Sequence, residues 1–461
     1  MAKWYEEAIF YHIYPLGLLG APKTHTEDGV THRLRELDDW GRHMKECGFT
    51  ATYIGPLFES TSHGYDTRDY KQVDSRLGDN EDFKHFVKLC HENGIRVVVD
   101  GVFNHTGREF FAFRDIQKNR ENSPYRCWYQ DVSFEGNTHY NDGFYYKAWH
   151  NCFELANLNL WDRGVKDYLL DVVRFWIDEF DIDGIRLDCA DCLQFDFMKE
   201  LRWVTGQKKE DFWLMGEVIH GDYARWVNDE TLHSVTNYEL WKGLYSGHND
   251  HNYFEIAHTI RRQFDANGGI YKGCRLYSFV ENHDVDRIVN KLKEKGFLQS
   301  VYTLLYTLPG IPSVYYGGEW GVEGRKEGAC DDGLRPHLVL SEMEANPPIP
   351  ELKGLLCKLG AIRQANPALT DGVYRELLLT NRQYAFARIL GNEAVITAVN
   401  NDANPVHMEI NCPVSASGAQ EALTGTGAEL RDGRIIWEMP AYGSAIFVIC
   451  KISLKHLLLK A

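Results

Sequence analysis

No apolar run in this sequence approaches the roughly 20 residues that a helix needs to cross a bilayer, so no membrane span is expected. The amino end, MAKWYEEAIFYHIYPLG, has no basic segment followed by an apolar one, so it carries no secretory-leader pattern. Basic charge is in the minority: 50 Lys and Arg against 66 Asp and Glu leave a formal charge of -16, which repels nucleic acid and anionic membranes alike. The 11 cysteines are odd in number and lack framework spacing, which favours reduced thiols and a cytoplasmic location. Internal repeats and low-complexity tracts are missing too. What is present is a chain of 461 residues, 44% hydrophobic, long enough for two or three domains around a sizeable core. Aromatic residues reach 13%, which suits a sugar-stacking cleft and a large core equally.

Short apolar runs alternate with helix-length amphipathic segments through the first three quarters of the chain. Strands are expected at AIFYHIYP, TATYIGP, IRVVVDGV, DGIRLD, FWLMGE, HSVTNY, LYSFVENHD and IPSVYYGG. Between them lie stretches such as RLRELDDWGRHMKECG and EDFKHFVKLCHENG, whose apolar residues recur at three- and four-residue steps and which end on Gly or Asn. Eight such units predict an α/β fold, a closed (β/α)8 TIM barrel rather than an open sheet. The aromatic, polar stretch after FNHTG is too long for an ordinary βα loop and reads as an excursion after the third strand. From Leu369 onward short alternating strands with Asn, Gly and Asp turns predict a C-terminal antiparallel β-sandwich. The expected domains are therefore a barrel in two parts, 1–105 and 161–368, an insert over 106–160 and a β domain over 369–461. The closing KISLKHLLLKA could pack as a helix.

Polar residues at the carboxyl ends of barrel strands face the active site. Here those ends supply Asp100, Asn104 and His105 (DGVFNH), Arg186 and Asp188 (IRLD), Glu217 (GE), and Glu281, Asn282, His283 and Asp284 (VENHD). Such a set suits glycoside hydrolysis, in which one carboxyl group is the nucleophile and a second the proton donor, about 5–5.5 Å apart in retaining enzymes. Arg186, two residues before Asp188, points to the same side and would hold that carboxylate ionised. The same stretch, DGIRLDCADC (183–192), ends in Cys189 and Cys192 at C-x-x-C spacing, which could mark a redox pair or half a zinc site. No second C-x-x-C or metal-spaced His pair accompanies it.

Taken in order, DGVFNH, GIRLD, GE and FVENHD resemble the motifs of the α-amylase family, glycoside hydrolase family 13. SHGYDTRDY, LANLNL and GIPSVYYGGEWG support the resemblance, which covers nearly the whole chain. It implies Asp188 as nucleophile, Glu217 as acid/base and Asp284 as transition-state stabiliser. It further implies Tyr65 as a stacking platform, with His63, His105, Arg186 and His283 binding the sugar, and Asp100 and Asn104 as structural residues. Within the family, HGYDTRDYKQVDSRLGD and LCHENGIRVVVDGVFNHTG look most like neopullulanases, cyclomaltodextrinases and maltogenic amylases, which act on small α-glucans, usually inside the cell.

The chain departs from that group in starting almost directly on the first barrel strand, without the amino-terminal β domain through which such enzymes commonly dimerise, so the oligomeric state stays open. Asp191 and Cys192 stand where secreted amylases often carry Lys-His, and Gly318 replaces a common acidic residue. No metal or other cofactor is therefore expected, calcium having its one remaining route through Asn104. The resemblance implies an oligosaccharide substrate and a retaining α-glucan hydrolase acting on maltooligosaccharides or cyclodextrins. A transglycosylase or isomerising α-glucosyl transferase uses the same trio, and a non-catalytic sugar-binding or partner protein is the alternative of a different class.

Overall fold

The computed structural model describes residues 3–25, 29–328 and 330–451. Eight parallel strands form the first layer: β1 (Phe10–Ile13), β2 (Ala51–Ile54), β3 (Arg96–Gly101), β4 (Gly184–Leu187), β5 (Trp213–Gly216), β6 (Ser234–Val235), β7 (Tyr277–Phe279) and β8 (Ile311–Tyr315). They are hydrogen-bonded in the order β6-β5-β4-β3-β2-β1-β8-β7. The remaining seam, between β6 and β7, is closed by a bridge of Thr236 with Tyr277, where the Asn237 amide donates to the Tyr277 carbonyl at 2.8 Å. The sheet is thus the expected (β/α)8 barrel.

Alternation along each strand divides two apolar cores. Phe10, Ala51, Tyr53, Val98, Trp213, Met215, Tyr277, Phe279 and Ile311 fill the barrel. Their neighbours Ile9, Tyr11, Val97, Val99, Ile185, Leu187 and Leu214 face outward against the helices. The helices obey the expected spacing: Asn80–Glu92 buries Phe83, Phe86, Val87 and Cys90 on one face, capped by the Asp79 side chain. A short amino-terminal helix, Trp4–Glu7, stops the barrel floor, with Trp4 6.2 Å from Trp213 between ring centroids.

The excursion after β3 is a three-stranded antiparallel sheet of His105–Gly107, Cys152–Asn157 and Ala148–Trp149, with a helix over Phe111–Asn119. Beyond the barrel, strands from Val373–Leu379 to Ser444–Lys451 make an eight-stranded antiparallel sheet. It curls around its own core of Ile396, Met408, Ile410, Ile435, Met439 and Phe447. This β domain docks on the barrel helices through a shared apolar cluster, to which it contributes Tyr384, Phe386, Val395, Val399 and Ile446, and through polar bonds. Arg388 donates to the Thr307 carbonyl at 3.1 Å, and the hydroxyls of Thr303 and Ser444 meet at 2.9 Å. All but the first residue of KISLKHLLLKA lies outside the described residues.

The cysteine expectation is corrected at one place. Cys47 and Cys357, 310 residues apart, form a pair that joins the end of helix Leu37–Glu46 to helix Pro350–Ala365. Local spacing carries no trace of so distant a pairing. Eight other cysteines are free thiols. Among the described residues no helix is long and apolar enough to cross a membrane.

Candidate active site

The inward positions of β3, β4 and β5 determine the site. Val98 points into the barrel, so Asp100 two residues on does as well; Trp213 and Met215 set the same phase for Glu217. On β4, Ile185 and Leu187 face outward, which turns Arg186 and Asp188 inward. The guanidinium of Arg186 is the hub. Its Nη1 donates to Asp100 Oδ1 at 2.9 Å and to Asp188 Oδ1 at 2.8 Å. Its Nη2 lies 2.8 Å from Glu217 Oε2. Tyr53 donates its hydroxyl to Asp100 Oδ2 at 2.7 Å, so Asp100 anchors Arg186 from below. A Cβ on Gly55 would stand 2.4 Å from that of Asp100, and only glycine leaves room for the carboxylate.

Exposure rises from floor to mouth. The side chains of Arg186, Asp188 and Glu217 are 3%, 8% and 13% exposed, whereas that of Asp284 is 34% exposed and meets the cleft. Asp188 and Glu217 bring one carboxylate oxygen each to within 4.8 Å of one another, compatible with the separation of about 5–5.5 Å in retaining glycosidases. One cation among three buried carboxyls cannot keep them all ionised. Burial, followed by the fields of Asp188 and Asp284, pushes the Glu217 carboxyl up to about 8 against the pull of Arg186. The recorded donors to its side chain, Arg186 and the Cys189 amide, both reach Oε2, which leaves Oε1 for the proton.

Asp284 has the opposite environment. Burial raises its pKa, but His283, Arg335 and Arg186 outweigh burial and hold the carboxyl far below the usual range. His283 Nε2 lies 3.0 Å from Oδ2, and Arg335 Nη2 donates to Oδ1 at 3.0 Å.

The loop between the paired strands Phe58–Ser60 and Thr67–Val73 carries Tyr65 and His63. The ring of Tyr65 lies 14° from parallel to that of His283, centroids 5.7 Å apart, and its hydroxyl shares a 2.5 Å hydrogen bond with His283 Nε2. His63 Nδ1 accepts from the Tyr65 amide at 3.2 Å. Burial lowers the His105 imidazole to about 3, so it is neutral. The Asn104 amide faces its Nδ1 at 3.2 Å, and the buried Nε2 has no hydrogen-bond partner within the protein. With Nδ1 accepting, Nε2 carries the hydrogen and can donate to a sugar hydroxyl.

Sequence reasoning missed three groups at the mouth. Arg335, in the loop after β8, donates to Asp284, to the His283 carbonyl (3.1 Å) and to Asp331 (3.1 Å), and lies over the Tyr14 ring. His12 and Tyr14 end the inward row of β1, with centroids 5.2 and 5.7 Å from that of His283. The row Phe10, His12, Tyr14 was visible as alternation; Arg335 sits in an aperiodic loop and left no such signal. Glu281, by contrast, turns away into a buried pair with Arg287 at 3.2 Å.

Cys189 belongs to the site and not to a redox pair. Its thiol donates to Asp188 Oδ2 and its amide to Glu217 Oε2, both at 3.2 Å, while Cys192 is a free, exposed thiol. Asp188, Cys189 and Glu217 could together reach a metal ion, but both carboxylates already bond Arg186, whose fixed charge opposes a dication.

Two neighbouring carboxyls ordered by one guanidinium, with a third carboxylate at the rim, on the carboxyl ends of a (β/α)8 barrel, define a glycoside hydrolase. The family model "Alpha amylase, catalytic domain" matches residues 28–345, and the chain belongs to that family. Among curated relatives it is similar to a cyclomaltodextrinase of Bacillus sp, 30% identical over 427 residues that cover 87% of this chain and 73% of the relative. It is also similar to an intracellular maltogenic amylase of Bacillus subtilis, 26% identical over 429 residues that cover 88% of this chain and 71% of the other. A solved cyclomaltodextrinase structure matches with a TM-score of 0.86 at 28% identity, over 97% of this chain and 78% of that one.

Proposed function

We propose that the protein is a retaining hydrolase of α-1,4-glucosidic bonds, with α-1,6 bonds as a second linkage, in maltooligosaccharides or cyclodextrins. Asp188 attacks the anomeric carbon while Glu217 Oε1 gives its proton to the leaving oxygen, so a glycosyl ester forms as the glycosidic bond breaks. Water then enters: Glu217, now a carboxylate, takes its proton, the oxygen bonds the anomeric carbon, and Asp188 leaves as a carboxylate. Asp284, held ionised at the mouth, opposes the positive charge of the oxocarbenium-like transition state. Tyr65 stacks on the sugar undergoing cleavage, and His63, His105, Arg186 and His283 hold its hydroxyls or the carboxylates around it.

The observation that carries this reading is the shared guanidinium: Arg186 bonds both Asp188 and Glu217, and Glu217 beside it is pushed up to about 8 by burial and by the fields of Asp188 and Asp284. Names of similar proteins support the choice of small α-glucans as substrate. We further assign 1–105 and 161–368 to the catalytic barrel, 106–160 to the insert and 369–461 to the β domain, and place the protein in the cytoplasm. The free thiols and an intracellular relative support that location.

Products from maltotriose, β-cyclodextrin, pullulan and panose, read by proton NMR in the first seconds, test the activity. The α-anomer is expected first. Initial β-anomer, or no cleavage of any of the four, sinks the reading; longer or α-1,6-linked products in excess would turn it towards glycosyl transfer. Asp188→Asn is expected to lose turnover while retaining substrate binding.

A further inference from the structure

The residue after the proposed nucleophile is a non-glycine in the left-handed region, Cys189 at φ 45° and ψ 47°. Such a backbone is costly for a side chain with a Cβ and persists where its surroundings impose it. Here they do so from three sides. The Cys189 amide is aimed at Glu217 Oε2, the Ala190 amide donates to the Glu217 carbonyl at 3.0 Å, and the Cys192 amide returns to the Cys189 carbonyl at 2.8 Å. Gly216 lets this turn cross β5, since a Cβ there would stand 2.7 Å from that of Ala190.

The turn directs the thiol at Asp188. The two carboxylate oxygens of Asp188 then differ: Oδ1 accepts a strong charged bond from Arg186 at 2.8 Å, and Oδ2 a weak one from Cys189 Sγ at 3.2 Å. An oxygen engaged by a guanidinium has its charge drawn away, whereas an S–H donor is weak and draws little. We propose that Cys189 is a positioning residue of the reaction: its thiol orients Asp188 so that Oδ2 is the attacking oxygen, and its amide ties the same turn to the proton donor Glu217. The inference rests on the function proposed above.

The thiol is suited to this because it stays protonated. Burial, then the charges of Asp188 and Glu217, push Cys189 far above the ordinary thiol range, so the donor persists at any working pH. The titratable and charged groups around Asp188 are Arg186 on its own strand, Asp100 from β3, Glu217 from β5, Tyr70 from the hairpin strand, and Cys189 and Cys192 in the turn, the last three neutral. Removing the thiol takes from Asp188 a donor that favours its charged form, and leaves the others in place.

The test compares wild type, Cys189→Ala and Cys189→Ser on one maltooligosaccharide across pH. Cys189→Ala is expected to lower kcat/KM about tenfold, to leave KM within twofold and to move the acid limb of the profile to higher pH. Cys189→Ser retains a donor and is expected to recover most of the rate and the wild-type acid limb. Three proteins with identical profiles would overturn the proposal, as would Ala and Ser variants slowed equally with an unmoved acid limb, the mark of a packing role. Wild type inactive on every α-glucan would instead sink the function itself, and the two failures are thereby distinct.

Discussion

Arg186 Nη2 sits 2.8 Å from Glu217 Oε2, and yet that carboxyl is pushed from 4.5 up to about 8. The guanidinium is shared with Asp100 and Asp188, so its charge is already spoken for, and burial decides the balance. Below about 8 Glu217 carries a proton to donate; above it the donor is lost. The alkaline limb of kcat/KM is therefore expected to fall with a midpoint near 8, with Glu217→Gln inactive throughout. Stability follows the same sign. Between 4.5 and about 8 the folded protein binds a proton that the unfolded chain does not, so stability falls as pH rises through that window. Glu217→Gln removes the term, and its Tm advantage over wild type is expected to widen across the same window in thermal scans.

Arg186→Leu strands Asp100, Asp188 and Glu217 without their common cation. Breaking a buried ion pair in this way costs about 3–5 kcal/mol, expected as a lower urea midpoint together with loss of turnover. A variant with unchanged urea unfolding would show that the carboxyls neutralise themselves without it.

Arg335 reaches Asp284 from a loop that carries none of the barrel core. Arg335→Ala is expected to lower kcat/KM on the order of tenfold to a hundredfold while moving Tm little. Equal losses of activity and stability would instead mark Arg335 as a structural tie for the loop.

Gly318 stands where an acidic residue is common in the resemblance, and the structure supplies the reason. A Cβ at that position would be 2.7 Å from Glu281 Oε1 and 2.9 Å from the Tyr302 hydroxyl. Gly318→Asp is expected to cost about 1–3 kcal/mol by overpacking and like-charge contact with Glu281. Urea denaturation reads it directly.

The barrel was legible because its signal is local. Apolar runs of strand length alternate with helices whose buried face recurs at three and four residues, and both periods survive without knowledge of partners. The strand-end motifs were legible for the same reason: Arg186 and Asp188 share a face by alternation alone. Partnership was not. Cys47 meets Cys357 across 310 residues, Arg335 joins Asp284 from an unpatterned loop, and Cys189, at the spacing of a redox pair, spends its thiol on Asp188.

The sequence by itself determined that Asp100, Arg186, Asp188, Glu217 and Asp284 gather at the carboxyl end of the barrel, since strand period and order suffice for those; it showed neither Arg335 at the mouth nor the turning away of Glu281. Only the tertiary structure decided what each does there. Protonation depends on burial and on the sum of neighbouring charges, which is why Glu217 is pushed up to about 8 while Asp284 is held low, although the charge of Arg186 acts on both. The C-x-x-C spacing likewise yielded to a left-handed turn, because a backbone angle, not a spacing, chose where the Cys189 thiol points.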